Sequence, residues 1–338
     1  MIWLTWRQLR VHVLVALAAL AAIALLLLVT GLQMRHSYDT AVTAVTGCAS
    51  GCAAAEADFL SRYTGLSHLA TGLVIAVPGL LGVFWGAPLI AREVETGTHR
   101  LVWNQSVTRA RWLAVKLATV GLAAVVVTGL LSLLVTWWAG PLDQVAMDRF
   151  SPLLFSARGI APLGYAAFAF TVGACAGLLI RRTVPAMAVT LAVFAAVQIL
   201  MPVAVRPYLQ EPVHTDVAVD LSQSTSGRYT LLRSGSGAEA RVDVQVSRPG
   251  DWVVSGASPV LDRSGRDTGR SLACGQSAAP AGDGGAEGCT VPADLHTRIA
   301  YQPADRYWAF QWSETAIYLA LAVLAGGFCS WWLRRRRS

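Results

Sequence analysis

The chain has 338 residues, of which 54% are hydrophobic and 14% charged, and its formal net charge is +7. A soluble domain carries about 25% charged residues, so a wholly water-soluble protein is excluded. A nucleic-acid partner is excluded by where the positive charge falls: Arg334–Arg337 abut an apolar run, and most other short-loop basic residues also sit at the ends of such runs, which is the placement of membrane topology.

From the N-terminus, Arg7 and Arg10 precede an apolar run, as in a signal peptide. The run is about twice the usual length of a signal peptide's apolar region, and no small-x-small cleavage site closes it. It therefore reads as a retained first span, Val11–Leu32. Five more runs follow: Ala70–Ala91, Trp112–Trp138, Ile160–Ile180, Val184–Val205 and Phe310–Leu333. Each is long enough to cross a bilayer core of about 30 Å, and no charged residue falls at the middle of any of them. The fold class expected is an all-α polytopic membrane protein.

Orientation follows from counting basic residues near the span ends. One set of loops holds Arg7 and Arg10; Arg92, Arg100, Arg109, Arg111 and Lys116; Arg181 and Arg182; and Arg334–Arg337. The opposite short loops hold Arg35, Arg62, Arg149 and Arg158. The richer set is expected on the cytoplasmic side, with both termini, in a plasma membrane. The long segment 206–309 is then external. Tryptophans agree, with Trp137, Trp138, Trp308 and Trp312 at outer boundaries and Trp112, Trp331 and Trp332 at inner ones.

Cys48 and Cys52 fall in the first external loop, and Cys274 and Cys289 in the long external segment. An even set on the oxidising side suits disulfides, paired within each loop or crossed between them. Free thiols or a metal site are the competing readings, the latter without a histidine at ligand spacing. Within 206–309 the composition changes. Val213–Leu221 and Arg241–Val246 alternate apolar with polar residues, and Trp252–Val254 adds a third candidate strand. Residues 278–288 have the composition of an unstructured loop. A small β-rich external insertion before the last span is expected.

Several chemistries are missing. The only lysine, Lys116, follows no glycine loop, so no phosphate-binding loop for ATP is present. Neither a zinc-protease nor a serine-hydrolase motif occurs, and no enzymatic activity, cofactor or metal is expected of this chain. Ion-driven carriers usually bury charges within the bilayer. Here the mid-span polar groups are modest, and Gln198 either lines a pathway or bonds a neighbouring helix. Gly82/Gly86 and Gly173/Gly177 are G-x-x-x-G pairs, suited to contacts between two copies or to packing within one.

The segment between the second and third spans, residues 92–111, is rich for a connector. Glu93 and Glu95 stand against the local positive bias, Thr96-Gly97-Thr98 is a turn signal, and Leu101, Val102 and Trp103 are apolar yet outside the spans. Thr108 is a good N-cap for the third span. A solvated loop is one reading; a docking site for a partner is the reading favoured here. Arg92-Glu93-Val94-Glu95-Thr96-Gly97-Thr98, followed by a leucine and then Val107-Thr108-Arg109, resembles the signature of permease subunits of type 2 ATP-binding-cassette (ABC) exporters.

That resemblance implies six spans with an amphipathic elbow helix before the first, for which residues 1–10 fit through Trp3 and Trp6, and Arg7 and Arg10. It also implies a homodimer or heterodimer of permeases and a separate ATPase that holds ATP and magnesium. The ATPase would dock on Arg92, Glu93, Glu95, Thr96, Gly97, Thr98, Arg100, Leu101, Val102 and Trp103. The sequence departs from the family at Ser106, often a proline, and in its large last external loop. The alternative function is a membrane-anchored receptor whose external domain binds a ligand.

Overall fold

The computed structural model describes residues 2–46, 52–97, 108–146, 148–219, 229–235, 241–269 and 295–335. Six helices among them are long and apolar enough to cross a membrane: 13–38, 58–95, 111–146, 161–180, 183–208 and 304–335. Each coincides with one of the expected spans and is longer or similar in reach. The structure divides into two compact units, residues 1–209 with 308–338, and residues 210–307.

In the helical unit, α1 (Ile2–Thr46) is one continuous helix, with no break at residue 10 where an elbow was expected to end. No glycine or proline occurs before Gly31, so nothing in the sequence interrupts the backbone ladder. The second span is α2 (Cys52–Leu81), a π-helical turn Gly82–Gly86, and α3 (Ala87–Glu95). The third is α4 (Arg109–Ala146). Thr108 caps it: the Thr108 Oγ1 accepts from the Arg111 N–H at 3.3 Å, which satisfies one of the orphan donors of a helix start. A short helix α5 (Pro152–Ser156) precedes the fourth span, α6 (Ala161–Ile180). Arg181 closes that helix in the left-handed conformation, φ 59°, and α7 (Thr183–Leu200) begins two residues later. α7 runs on through a π turn, Met201–Val205, and a 3-10 turn, Arg206–Tyr208. The sixth span is α8 (Tyr307–Arg335).

The fourth span is the axis of this unit. Of its most apolar stretch 67% is buried, against 6% for the first span and 17% for the fifth and sixth. Small residues make this possible. A Cβ on Gly173 would stand 2.3 Å from the Gly82 carbonyl oxygen, and one on Gly177 2.4 Å from that of Ala87. From the other side, a Cβ on Gly82 would meet the Ala169 oxygen at 2.5 Å, and one on Gly86 the Phe170 oxygen at 2.5 Å. The two G-x-x-x-G pairs therefore pack the second and fourth spans together inside one chain, backbone against backbone. Cys175 in α6 and Cys329 in α8 are joined by a disulfide with Cα atoms 5.7 Å apart; the sequence alone placed both within spans and did not pair them. Of the cysteines expected to pair, Cys48, Cys274 and Cys289 and the side chain of Cys52 lie outside the described residues.

Among the described residues the second unit forms a six-stranded antiparallel sheet: β1 (Val213–Ala218), β2 (Tyr229–Ser234), β3 (Arg241–Val246), β4 (Trp252–Val253), β5 (Ala257–Leu261) and β6 (His296–Gln302). The strand order is β1-β6-β5-β3-β2, with β4 also paired to β6. Val242, Val244 and Val246 point to one face and form a core with Val219, Val260, Leu295 and Ile299, as strict alternation requires. β1, β3 and β4 match the strands expected. β2, β5 and β6 were not foreseen, and β2 and β6 lack a clean alternation. β1 pairs with β6 from Val213↔Tyr301 to Ala218↔His296, so the first and last strands of the insertion lie side by side. Residues 278–288 lie outside the described residues.

Candidate functional site

Two polar clusters stand at opposite ends of the helical unit. The first surrounds the start of the segment singled out in the sequence. Lys116, on the second turn of the third span, is 5% exposed. Its ammonium donates to Glu93 Oε1 and lies 4.8 Å from the centre of the Trp112 ring. The charge of a lysine inside an apolar helix bundle is tolerable only with such a partner. Two residues on, Glu95 accepts from the Thr183 N–H at 2.8 Å and from Thr183 Oγ1 at 2.6 Å. Thr183 is the first residue of α7, so a carboxylate from α3 caps the positive end of the fifth span.

The Thr96 hydroxyl donates back to Arg92 O at 2.9 Å. Gly97 takes φ 71°, the left-handed turn that favours glycine. Arg92 is exposed. Thr98, Arg100, Leu101, Val102 and Trp103 lie outside the described residues. The beginning of the segment is thus fastened to three helices, the second span directly, the third through Glu93 and the fifth through Glu95.

The second cluster was not anticipated. Arg206, at the end of the fifth span, and Glu314, near the start of the sixth, are each 1% exposed. Arg206 Nε donates to Glu314 Oε2 at 2.9 Å, and Nη2 donates to Oε1 at 3.1 Å and to Ser156 Oγ at 3.0 Å. The guanidinium lies 4.1 Å from the centre of the Phe155 ring. Tyr165, from the fourth span, donates its hydroxyl to Glu314 Oε1. Gln311, one turn before Glu314, accepts from the N–H groups of Ile160 and Ala161 at 3.1 and 2.9 Å and donates to Phe155 O at 3.0 Å. One side chain therefore caps the start of α6 and bonds a carbonyl of α5. Asp143 and Arg158 pair at 3.3 Å in the same region. Gly159, φ 64°, is held by Thr136 and Ser132.

Gln198, one candidate for a pathway, accepts from the Tyr318 hydroxyl at 3.1 Å, which ties the fifth span to the sixth. No charge stands at the middle of a run, but Lys116 and Glu314 both lie inside the apolar runs read from the sequence, a few residues from their ends, and both are buried, which the sequence reading did not foresee. The signal was present. A carboxylate four residues inside Phe310–Leu333 needs a cation, and Arg206 stood just past the end of the preceding run. What the sequence did not contain was the distance between them.

A family model described as ABC-2 membrane transporter related matches residues 17–206. No curated protein and no solved structure matches the chain.

Proposed function

The chain belongs to the ABC-2 membrane transporter related family, and on that premise we propose that it is the permease of an exporter powered by a separate ABC ATPase. The partner holds ATP and magnesium; in this chain the sole lysine is committed to Glu93. The ATPase docks on the cytoplasmic face at residues 92–111, with both termini on the same side. Two permease copies, identical or related, complete the pathway.

The observation that carries this reading is the bonding of Glu93 to Lys116 and of Glu95 to Thr183. A push delivered to the segment after Gly97 reaches the second, third and fifth spans through these two carboxylates. Transport then follows as a shift between inward- and outward-facing states, driven by the partner's different contacts with each.

The test is affinity purification in mild detergent followed by mass spectrometry. The wild-type chain is expected to bring down an ABC ATPase in comparable amount. Leu101→Ala with Trp103→Ala is expected to lose the ATPase while remaining in the membrane. Glu93 and Glu95 are poor probes of docking because each is already bonded within the chain. An ATPase recovered equally by the double variant, or solute transport by the chain alone in liposomes, overturns the proposal. The receptor reading is favoured by one feature, the separately folded sheet of residues 210–307, and predicts a purified chain with no ATPase at all.

A further inference from the structure

Pro141 lies inside α4. It has no N–H, so the carbonyl four residues earlier, Trp137 O, has no partner in the helix. Arg35 of the first span supplies one: its Nη2 donates to Trp137 O at 3.0 Å. The guanidinium also lies 4.7 Å from the centre of the Trp137 ring. These two contacts fix the plane of the guanidinium and use one of its five N–H groups. Its Nε is shielded from solvent and has no hydrogen-bond partner.

The arginine borders a cavity of about 290 Å³ lined by Arg35, Tyr38, Gly140, Pro141 and Gln144. The Tyr38 hydroxyl donates to Gln144 Oε1 at 3.1 Å, which leaves the Gln144 amide N–H groups as donors. The lining thus offers a fixed cation and further donors, and among the described residues that line it none is a carboxylate. That chemistry selects an anion with several acceptor oxygens. A volume near ten times the share of one water admits a group of that size. The site stands where the first and third spans end, at Tyr38 and Ala146, the level of lipid headgroups. Leu28, Leu32 and Leu133, on the same two helices toward the bilayer centre, are exposed, a surface suited to acyl chains.

We propose that the Arg35 cavity between the first and third spans is a binding site for a phosphate group, carried by a phospholipid headgroup. The role of Arg35 at the carbonyl freed by Pro141 holds the guanidinium still; the site uses the Nη donors that remain.

The test uses the full chain purified in detergent and native mass spectrometry with three probes: dioleoyl phosphatidylglycerol, the diacylglycerol of the same chains, and inorganic phosphate. The wild-type chain is expected to retain one phosphatidylglycerol and no diacylglycerol. Arg35→Gln, which removes the charge, and Gly140→Leu, which fills the cavity, are each expected to cut retention roughly tenfold. A Cβ on Gly140 meets nothing within 4 Å, so that substitution starts without a backbone clash and carries the test if Arg35→Gln fails to fold. If phosphatidylglycerol is not retained but inorganic phosphate raises the melting temperature of the wild type and not of Gly140→Leu, the phosphate assignment stands and the lipid source is wrong. Equal retention by wild type and Gly140→Leu, or no effect of either phosphate probe on the wild type, overturns the proposal.

Discussion

Arg206 and Glu314 show what a charge inside a helix bundle requires of its neighbours. Each is fully buried, and every polar atom that meets them comes from a different element: Ser156 from α5, Tyr165 from α6 and the carboxylate from α8. Removing one partner strands the other charge, at a cost of about 3–5 kcal/mol. Glu314→Ala is therefore expected to lower the melting temperature in detergent sharply. Arg206→Met combined with Glu314→Leu is expected to lose less, because no charge is left unpaired. A double variant at least as damaged as the single one would show that the pair itself carries the stability.

A second residue-scale prediction concerns the sheet. Asp262 accepts from the Ser264 hydroxyl at 2.6 Å and from the Ser264 and Arg266 N–H groups at 2.9 Å. These bonds, the Ser264 hydroxyl first, hold its pKa down to about 2 from the ordinary 3.8. A lowered folded-state pKa means stability that is present above pH 3.8 and lost as the pH falls through 2. Hydrogen exchange at the Ser264 and Arg266 amides is expected to lose protection over that window. In Asp262→Asn the exchange should show no such pH step; a step that persists there assigns it to another group.

At the scale of elements, the crossing of the second and fourth spans rests on glycine. A methyl group at Gly82 or Gly173 would press on backbone oxygens at 2.5 and 2.3 Å, and backbone cannot turn aside as a side chain can. Gly82→Ala and Gly173→Ala are each expected to cost about 1–3 kcal/mol through overpacking. Gly72, in the same second span, has open space around its Cβ position; Gly72→Ala is expected to be neutral or stabilising by up to about 1 kcal/mol. Thermal unfolding of the three variants in one detergent decides the matter, and equal losses would refute the close crossing.

The other element-scale link joins α3 to α4. Glu93→Lys is expected to destabilise the start of the third span by placing two cations together, and adding Lys116→Glu is expected to restore it, read as recovery of the melting temperature. Such recovery separates a bond within the chain from a contact made with a partner.

Across the whole molecule, the division at residues 210 and 307 has a direct consequence. The insertion closes on itself through β1 and β6, and its valine core is its own. Replacing residues 210–307 by a Gly/Ser linker is expected to leave a monodisperse helical unit that still recovers the ATPase partner. Loss of the partner in that deletion would move the docking assignment away from residues 92–111.

Length, apolar runs and the alternation of residues determined by themselves that six helices are long and apolar enough to cross a bilayer and that a sheet is inserted before the last. Those signals are local: hydropathy, alternation and turn chemistry are read within one element. Only the tertiary structure decided that Glu93 and Glu95 bond Lys116 and Thr183 inside the chain, that the paired glycines face each other, that Gln311 caps another helix, and that Arg206 meets Glu314. Each of these joins residues far apart in the chain. Whether a glycine is a spacer or a crossing point, or a glutamate a docking contact or a clamp, depends on which helix lies beside it, and that is set by the packing of all six spans at once.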